Sequence, residues 1–203
     1  GPGYDFCALA LAKAFTGSNC AIEGTVYDFE EGWSDMVDAM SISTTHILQQ
    51  THPFELSTIS CHFGGKCDIT KSLSDPSNTS LLVFPADIIV CQYCVAENAN
   101  LLRESDFIFF RDLFKHAKQG AIIILTETTH RLWPEFVDLV LDMDFEVSFV
   151  RGRGTQLVLR KQIGCHHLRP GADEIDQMKE DAHDHELKME SGHSRQRRKI
   201  PET

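Results

Sequence analysis

Over the first 160 residues the chain alternates between a helical and a strand-like spacing of apolar positions. The segment after Tyr4-Asp5 is apolar nearly all round (Phe6, Ala8, Leu9, Ala10, Leu11, Ala12, Phe15). It predicts a buried helix capped at Gly17. Strand text follows at 21–29, a short helix at 33–40 and a second strand at 56–63. The β-branched run 86–93 predicts a strand covered on both faces, 101–118 one continuous helix, and 120–126 another buried strand. Pro134 suits the first turn of a helix carrying Phe136, Val137, Val140, Leu141 and Met143 on one side. Two last strands, 145–150 and 155–160, are joined only by Arg151-Gly152-Arg153-Gly154, a link short enough to force an antiparallel hairpin.

Strands separated by helices require parallel crossovers, so the fold class is α/β: a doubly wound, mostly parallel sheet closed by a C-terminal antiparallel hairpin. The composition breaks near Ile163. The expected organisation is therefore one folded domain over 1–162 and a polar, largely disordered tail over 163–203. That tail holds five of the ten histidines and leaves room for a transient helix over 173–190. The irregular spacing of these histidines reads as a solvated tail, and no metal site is assigned to it.

Charge narrows the choice of partners. Residues 1–160 carry 11 basic and 21 acidic side chains, and 161–203 carry 8 and 9, for a net charge of −11 over the chain. An acidic body repels phosphate backbones, so non-specific DNA binding is not expected. No apolar run approaches the roughly 20 residues of a membrane helix, and no membrane association is expected. Seven cysteines without a regular framework fit reduced thiols and a cytoplasmic location, while Arg197-Arg198-Lys199 leaves a nuclear one open. Cys91-x-x-Cys94 has zinc-like spacing but no second pair, and its first cysteine lies in a strand. Both are read as small, buried apolar residues, and no metal is assigned.

The candidate chemistry begins with Gly1-Pro2-Gly3-Tyr4-Asp5, which passes directly into a helix. Glycines there let backbone approach a ligand, and a helix N-terminus offers unpaired N–H groups. Gly1-Pro2 also has the form of a purification-tag remnant, whereas Gly3-Tyr4-Asp5 does not. Asp28 closes the next strand, about two dozen residues on, where a ribose-binding acid belongs in nucleotide-binding α/β folds. Asp68 follows the strand over 56–63, placed to accept from an adenine amino group while Ile69 covers the ring. Each aspartate alone reads more readily as a turn or N-cap residue than as a ligand group; their common phase with the glycine turn favours a site.

On these residues the chain resembles class I S-adenosylmethionine-dependent methyltransferases over about 1–160. The run 26–33, Val-Tyr-Asp-Phe-Glu-Glu-Gly-Trp, further resembles a poorly characterised eukaryotic methyltransferase-like group. The resemblance implies S-adenosylmethionine as cofactor, with contacts from Gly1, Gly3, Tyr4, Asp5, Asp28, Phe29, Asp68, Ile69 and Tyr93. It also implies that the segment 93–98 faces the methyl group, making Glu97 and Tyr93 the catalytic candidates. The acceptor, whether protein, RNA or small molecule, is left open. Family members place the central strand of the sheet before the glycine turn, and no strand text precedes Gly1. The sequence is accordingly expected to be an N-terminally truncated fragment. A methyltransferase-fold binding module without turnover is the alternative function. A nicotinamide dehydrogenase ranks below both, because Phe6 stands where its third glycine belongs.

Overall fold

The computed structural model describes residues 21–51, 59–81, 85–127, 131–141, 143–150 and 155–162, together with 173, 176, 177 and 180. The opening glycines, the helix expected over 5–15 and most of 163–203 lie outside the described residues; Asp173, Asp176, Gln177 and Glu180 are helical. The chain divides into two compact units, Gly1–Leu81 and Leu82–Thr203. Among the described residues no helix is long and apolar enough to cross a membrane.

In the first unit, strand β1 (Ile22–Asp28) pairs in parallel with β2 (Ile59–Lys66), and helix α1 (Ser34–Thr51) connects them. The crossover is the parallel unit that the alternating pattern predicts. Its core is small: Val37 of α1 and Cys61 of β2 are buried, with Val26, Met40 and Phe63 packed against them. Ser41 fastens the helix to the strand, its hydroxyl accepting the Cys61 N–H at 3.2 Å. The helix runs well past the expected end at Met40. No glycine or proline follows until Pro53, so the β-branched text after Met40 meets no breaker. The second strand, expected over 56–63, is described from Ile59 and runs on to Lys66; 56–58 lie outside the described residues. Register slips between Val26 and Tyr27, so Gly64 is the extra residue of a bulge. A Cβ on Gly64 would collide with Thr25 and Tyr27, and Gly65 sits at φ +122°. Only glycines satisfy both positions.

The second unit has a four-stranded sheet in the order β3-β4-β6-β5. Strand β3 (Ile88–Gln92) is parallel to β4 (Ile122–Glu127). β6 (Thr155–Lys161) lies antiparallel between β4 and β5 (Phe145–Val150). The fold is therefore α/β, with parallel crossovers and the expected C-terminal hairpin, its ladders divided between two sheets. The hairpin inserts its second strand beside β4, as a reversed strand can. Contrary to the expectation of a strand buried on both faces, Ile88 and Val90 of β3 are 53% and 41% exposed. Among the described residues β3 stands at the edge of its sheet and pairs only with β4.

The helix expected over 101–118 is broken into α2 (Ala99–Glu104) and α3 (Ile108–His116). Asp106 and Phe107 both stand at φ 53°. The left-handed turn costs energy for side chains with a Cβ, and two contacts offset it. Arg111 donates from Nε to the Asp106 carbonyl at 2.8 Å and from Nη2 to its carboxylate at 3.0 Å. The Phe107 ring meets Phe136 edge-on at 5.4 Å. Phe136 belongs to α4 (Trp133–Val140), where Pro134 occupies the first turn as predicted. Its ring also lies 4.7 Å from Phe110, and Phe114 reaches Phe145 at 5.6 Å. Lys161 closes α3, donating from Nζ to the carbonyls of Phe114 (2.6 Å) and Lys115 (2.8 Å). Burial pushes this lysine below the usual ammonium range, against the opposing pull of Asp144.

Candidate functional site

Two of the sequence-predicted residues meet at one edge of the first unit. Asp28 ends β1, and its carbonyl accepts the N–H of Cys67, the residue after β2, at 2.9 Å. Asp68 follows directly. The carboxyl ends of two adjacent parallel strands thus deliver both aspartates, the position where open α/β sheets bind ligands. Each carboxylate uses one oxygen in a local turn: Asp28 Oδ1 accepts from Glu30 N at 3.0 Å. Asp68 Oδ1 accepts from Thr70 N at 3.0 Å and Thr70 Oγ1 at 2.7 Å. These are the Asx turns expected of each aspartate alone, and they orient the carboxylates without consuming them. Among the described residues the second oxygen of each accepts no hydrogen bond. Phe29 is exposed beside them, with the Lys66 ammonium 4.5 Å from its ring centroid. Ile69 is half-buried in the turn after Asp68. Gly1, Gly3, Tyr4 and Asp5 lie outside the described residues.

The residue that holds this edge together escaped the sequence reading. Asn78 is 1% exposed. Its Oδ1 accepts Asp68 N at 2.7 Å, and its Nδ2 donates to the carbonyls of Asp68 and Ser72, both at 2.9 Å. One buried amide therefore satisfies three backbone groups of the loop that presents Asp68. The 3₁₀ turn carrying Asn78, Pro76–Asn78, is capped by Asp75. The Ser77 hydroxyl and N–H hold that carboxyl below the usual carboxylate range. Asn78→Ala is expected to cost about 2–4 kcal/mol by stranding these groups. Chemical denaturation measures the loss, and hydrogen exchange at Asp68 should accelerate with it. An unchanged midpoint would mean that the loop stands without the amide.

The second unit carries the other candidates. Tyr93, just past β3, stands at φ 54° and its N–H donates to the Thr126 carbonyl at 2.9 Å. Glu97 is exposed in the turn before α2, and its carboxylate makes no hydrogen bond or ion pair among the described residues. Asn98 precedes α2 without capping it; its Nδ2 instead donates to the Cys94 carbonyl at 2.8 Å. The intervening segment is clamped by Glu127, the last residue of β4. At 3% exposure, its Oε1 accepts from Val95 N at 2.6 Å and Ala96 N at 3.1 Å. Sequence reading passed over Glu127, although the rule that singled out Asp28 and Asp68, an acid at a strand's carboxyl end, applies to it equally.

Glu127 also lines a small open cleft with Ala96, Ala99, Arg103, Arg131 and Leu132. Arg103 is engaged there by Glu135, through Nη2 at 2.8 Å and Nε at 3.0 Å. Cys91 and Cys94 are half-buried thiols, correcting the expectation of small buried apolar residues. Their sulfurs lie 3.1 Å apart.

No family model and no curated protein sequence matches the chain. Solved structures similar to it include PigF with SAH, 15% identical, covering 77% of this chain and 47% of that one at a TM-score of 0.44. The chain thus spans about half the length of PigF, at 47%. A SAM-dependent methyltransferase from Methanosarcina mazei is 14% identical, with 77% of this chain and 87% of that one covered and a TM-score of 0.46. A SAM-dependent O-methyltransferase from Thermotoga maritima is 11% identical, with coverage of 79% and 56% and a TM-score of 0.39.

Proposed function

We propose that the chain is a methyltransferase domain that binds S-adenosylmethionine and transfers its methyl group to an acceptor. The observation that carries the reading is the pair of aspartates at the ends of β1 and β2, each oriented by a local turn with its second oxygen clear among the described residues. That pair of acceptors suits an adenosine, whose ribose hydroxyls and adenine amino group donate. In this reading the Asp28 carboxylate accepts the two ribose hydroxyls, and Asp68 accepts from the adenine amino group. Ile69 and Phe29 offer apolar surface to the ring system. The cofactor, when bound, supplies an electron-poor methyl carbon that is open to in-line displacement. The protein's remaining work is to position a nucleophile and take up its proton. On the resemblance to methyltransferases, Glu97, an exposed carboxylate, and Tyr93 are the candidates for accepting the proton or orienting the acceptor.

Isothermal titration of the chain with S-adenosylmethionine and with its demethylated product tests the reading. Asp28→Ala removes a charge-assisted hydrogen-bond pair and is expected to weaken binding by about 1.5–3 kcal/mol, roughly ten- to a hundredfold in Kd. An unaltered Kd in that variant would take Asp28 out of the site. Binding without transfer to any acceptor in an extract would favour the non-catalytic binding module. Localisation in the cytoplasm and the division into a folded 1–162 and a tail belong to the same proposal.

A further inference from the structure

We propose that Cys91 and Cys94 form a dithiol site that closes to an intramolecular disulfide by exchange with a small disulfide of the glutathione type. The inference does not depend on the methyltransferase reading. Cys91 is fixed within β3 by its pairing with Leu125 of β4. Three residues later Cys94 is braced from the other side, its carbonyl accepting from Asn98 Nδ2 at 2.8 Å. The next N–H, that of Val95, is clamped by Glu127 at 2.6 Å. Between them Tyr93 adopts φ 54°, which turns the chain back so that the two side chains converge. Their sulfurs stand 3.1 Å apart. A disulfide bond is about 2.05 Å, so closure moves the sulfurs together by only about 1 Å. Both residues are half-buried, which leaves an approach for a small reagent while holding the pair in place.

Two other uses of the pair fit less well. A structural zinc site needs four ligands, and among the described residues no group of three or more His, Cys, Asp or Glu could hold a metal. Inert packing would leave the thiols buried, as Cys61 is.

The exchange balances without any further reagent. One protein thiolate attacks a sulfur of oxidised glutathione, breaking its S–S bond and expelling one glutathione thiolate. The second protein thiolate attacks the protein sulfur of the mixed disulfide and expels the other. The two thiol protons leave with the two glutathiones. The protein pair is oxidised by two electrons and the glutathione disulfide is reduced by two.

The test equilibrates the full chain over a series of oxidised-to-reduced glutathione ratios, quenches with acid, alkylates and digests with trypsin. The peptide 72–103 contains Cys91 and Cys94 and no other cysteine. It is expected to resist alkylation and to be lighter by two hydrogens, with dithiothreitol restoring both thiols. Cys91→Ser and Cys94→Ser should instead each carry one glutathione on the remaining thiol at the same ratios. A wild-type peptide alkylated at both sulfurs across the whole series would overturn the proposal. So would separate glutathione adducts without an internal bond, or added zinc that blocks alkylation of both thiols with no disulfide at any ratio.

Discussion

Phe136→Ala is expected to lower the stability of the second unit by about 3–5 kcal/mol, the cost of emptying an aromatic site in a close-packed core. Phe136 is fully buried and forms the hub of that core. Its ring touches Phe110 at 4.7 Å, Phe107 at 5.4 Å, Trp133 at 6.0 Å and Phe114 at 6.3 Å, in largely edge-to-face geometry. Those neighbours come from the α2–α3 turn, from α3 and from α4 itself, so the cavity cannot close by moving one side chain. Truncation also removes the packing that offsets the left-handed Phe107. Denaturant unfolding followed by a fluorescence signal from Trp133 should show the loss as a lower midpoint. A loss below about 1 kcal/mol would mean that the cluster repacks around the gap.

The second large effect is expected at Glu127. Glu127→Leu fills similar space but strands the buried N–H of Val95 and that of Ala96. At about 1–3 kcal/mol for a buried donor without a partner, the total should reach about 2–4 kcal/mol. Glu127→Gln retains an acceptor oxygen at the same place and should cost about 1 kcal/mol. The two variants separate the geometric role from the charge. Hydrogen exchange at Val95 and Ala96 should accelerate strongly in the first and modestly in the second. Equal protection in all three proteins would show that the segment is held by something other than this carboxylate.

How far the fold could be read in advance depended on whether the deciding force was local. The β5–β6 hairpin was legible because a four-residue Arg-Gly-Arg-Gly link leaves no other connection, and the start of α4 because proline fits a helix's first turn. The break between α2 and α3 was not, because helical periodicity runs straight through Asp106 and Phe107. The turn is held by Arg111 on Asp106 and by the Phe107 contact with Phe136, nearly thirty residues away. Strand β3 has the composition of a covered strand, and only the sheet order places it, among the described residues, at an edge. The bulge in β2 had a visible mark, Gly64-Gly65, but its position depended on which residues of β1 stood opposite.

The same division holds for the candidate site. Asp28 and Asp68 were legible because a strand's carboxyl end is recognisable in the text, and the structure brings their two segments together through the Cys67–Asp28 backbone bond. Asn78 was not, since one amide among serines and threonines gives no local sign that it is buried. Cys91 and Cys94 were visible as a spaced pair, but their convergence follows from the backbone conformation of Tyr93.

The central claim is that the edge formed by Asp28 and Asp68 holds an adenosine, and a crystal structure of the chain soaked with the demethylated cofactor tests it most directly. The account predicts density for the nucleoside at the ends of β1 and β2, with the ribose hydroxyls within hydrogen-bonding distance of the Asp28 carboxylate and the adenine amino group at Asp68. Density for the nucleoside at any other surface, with both carboxylates still facing water, would contradict it.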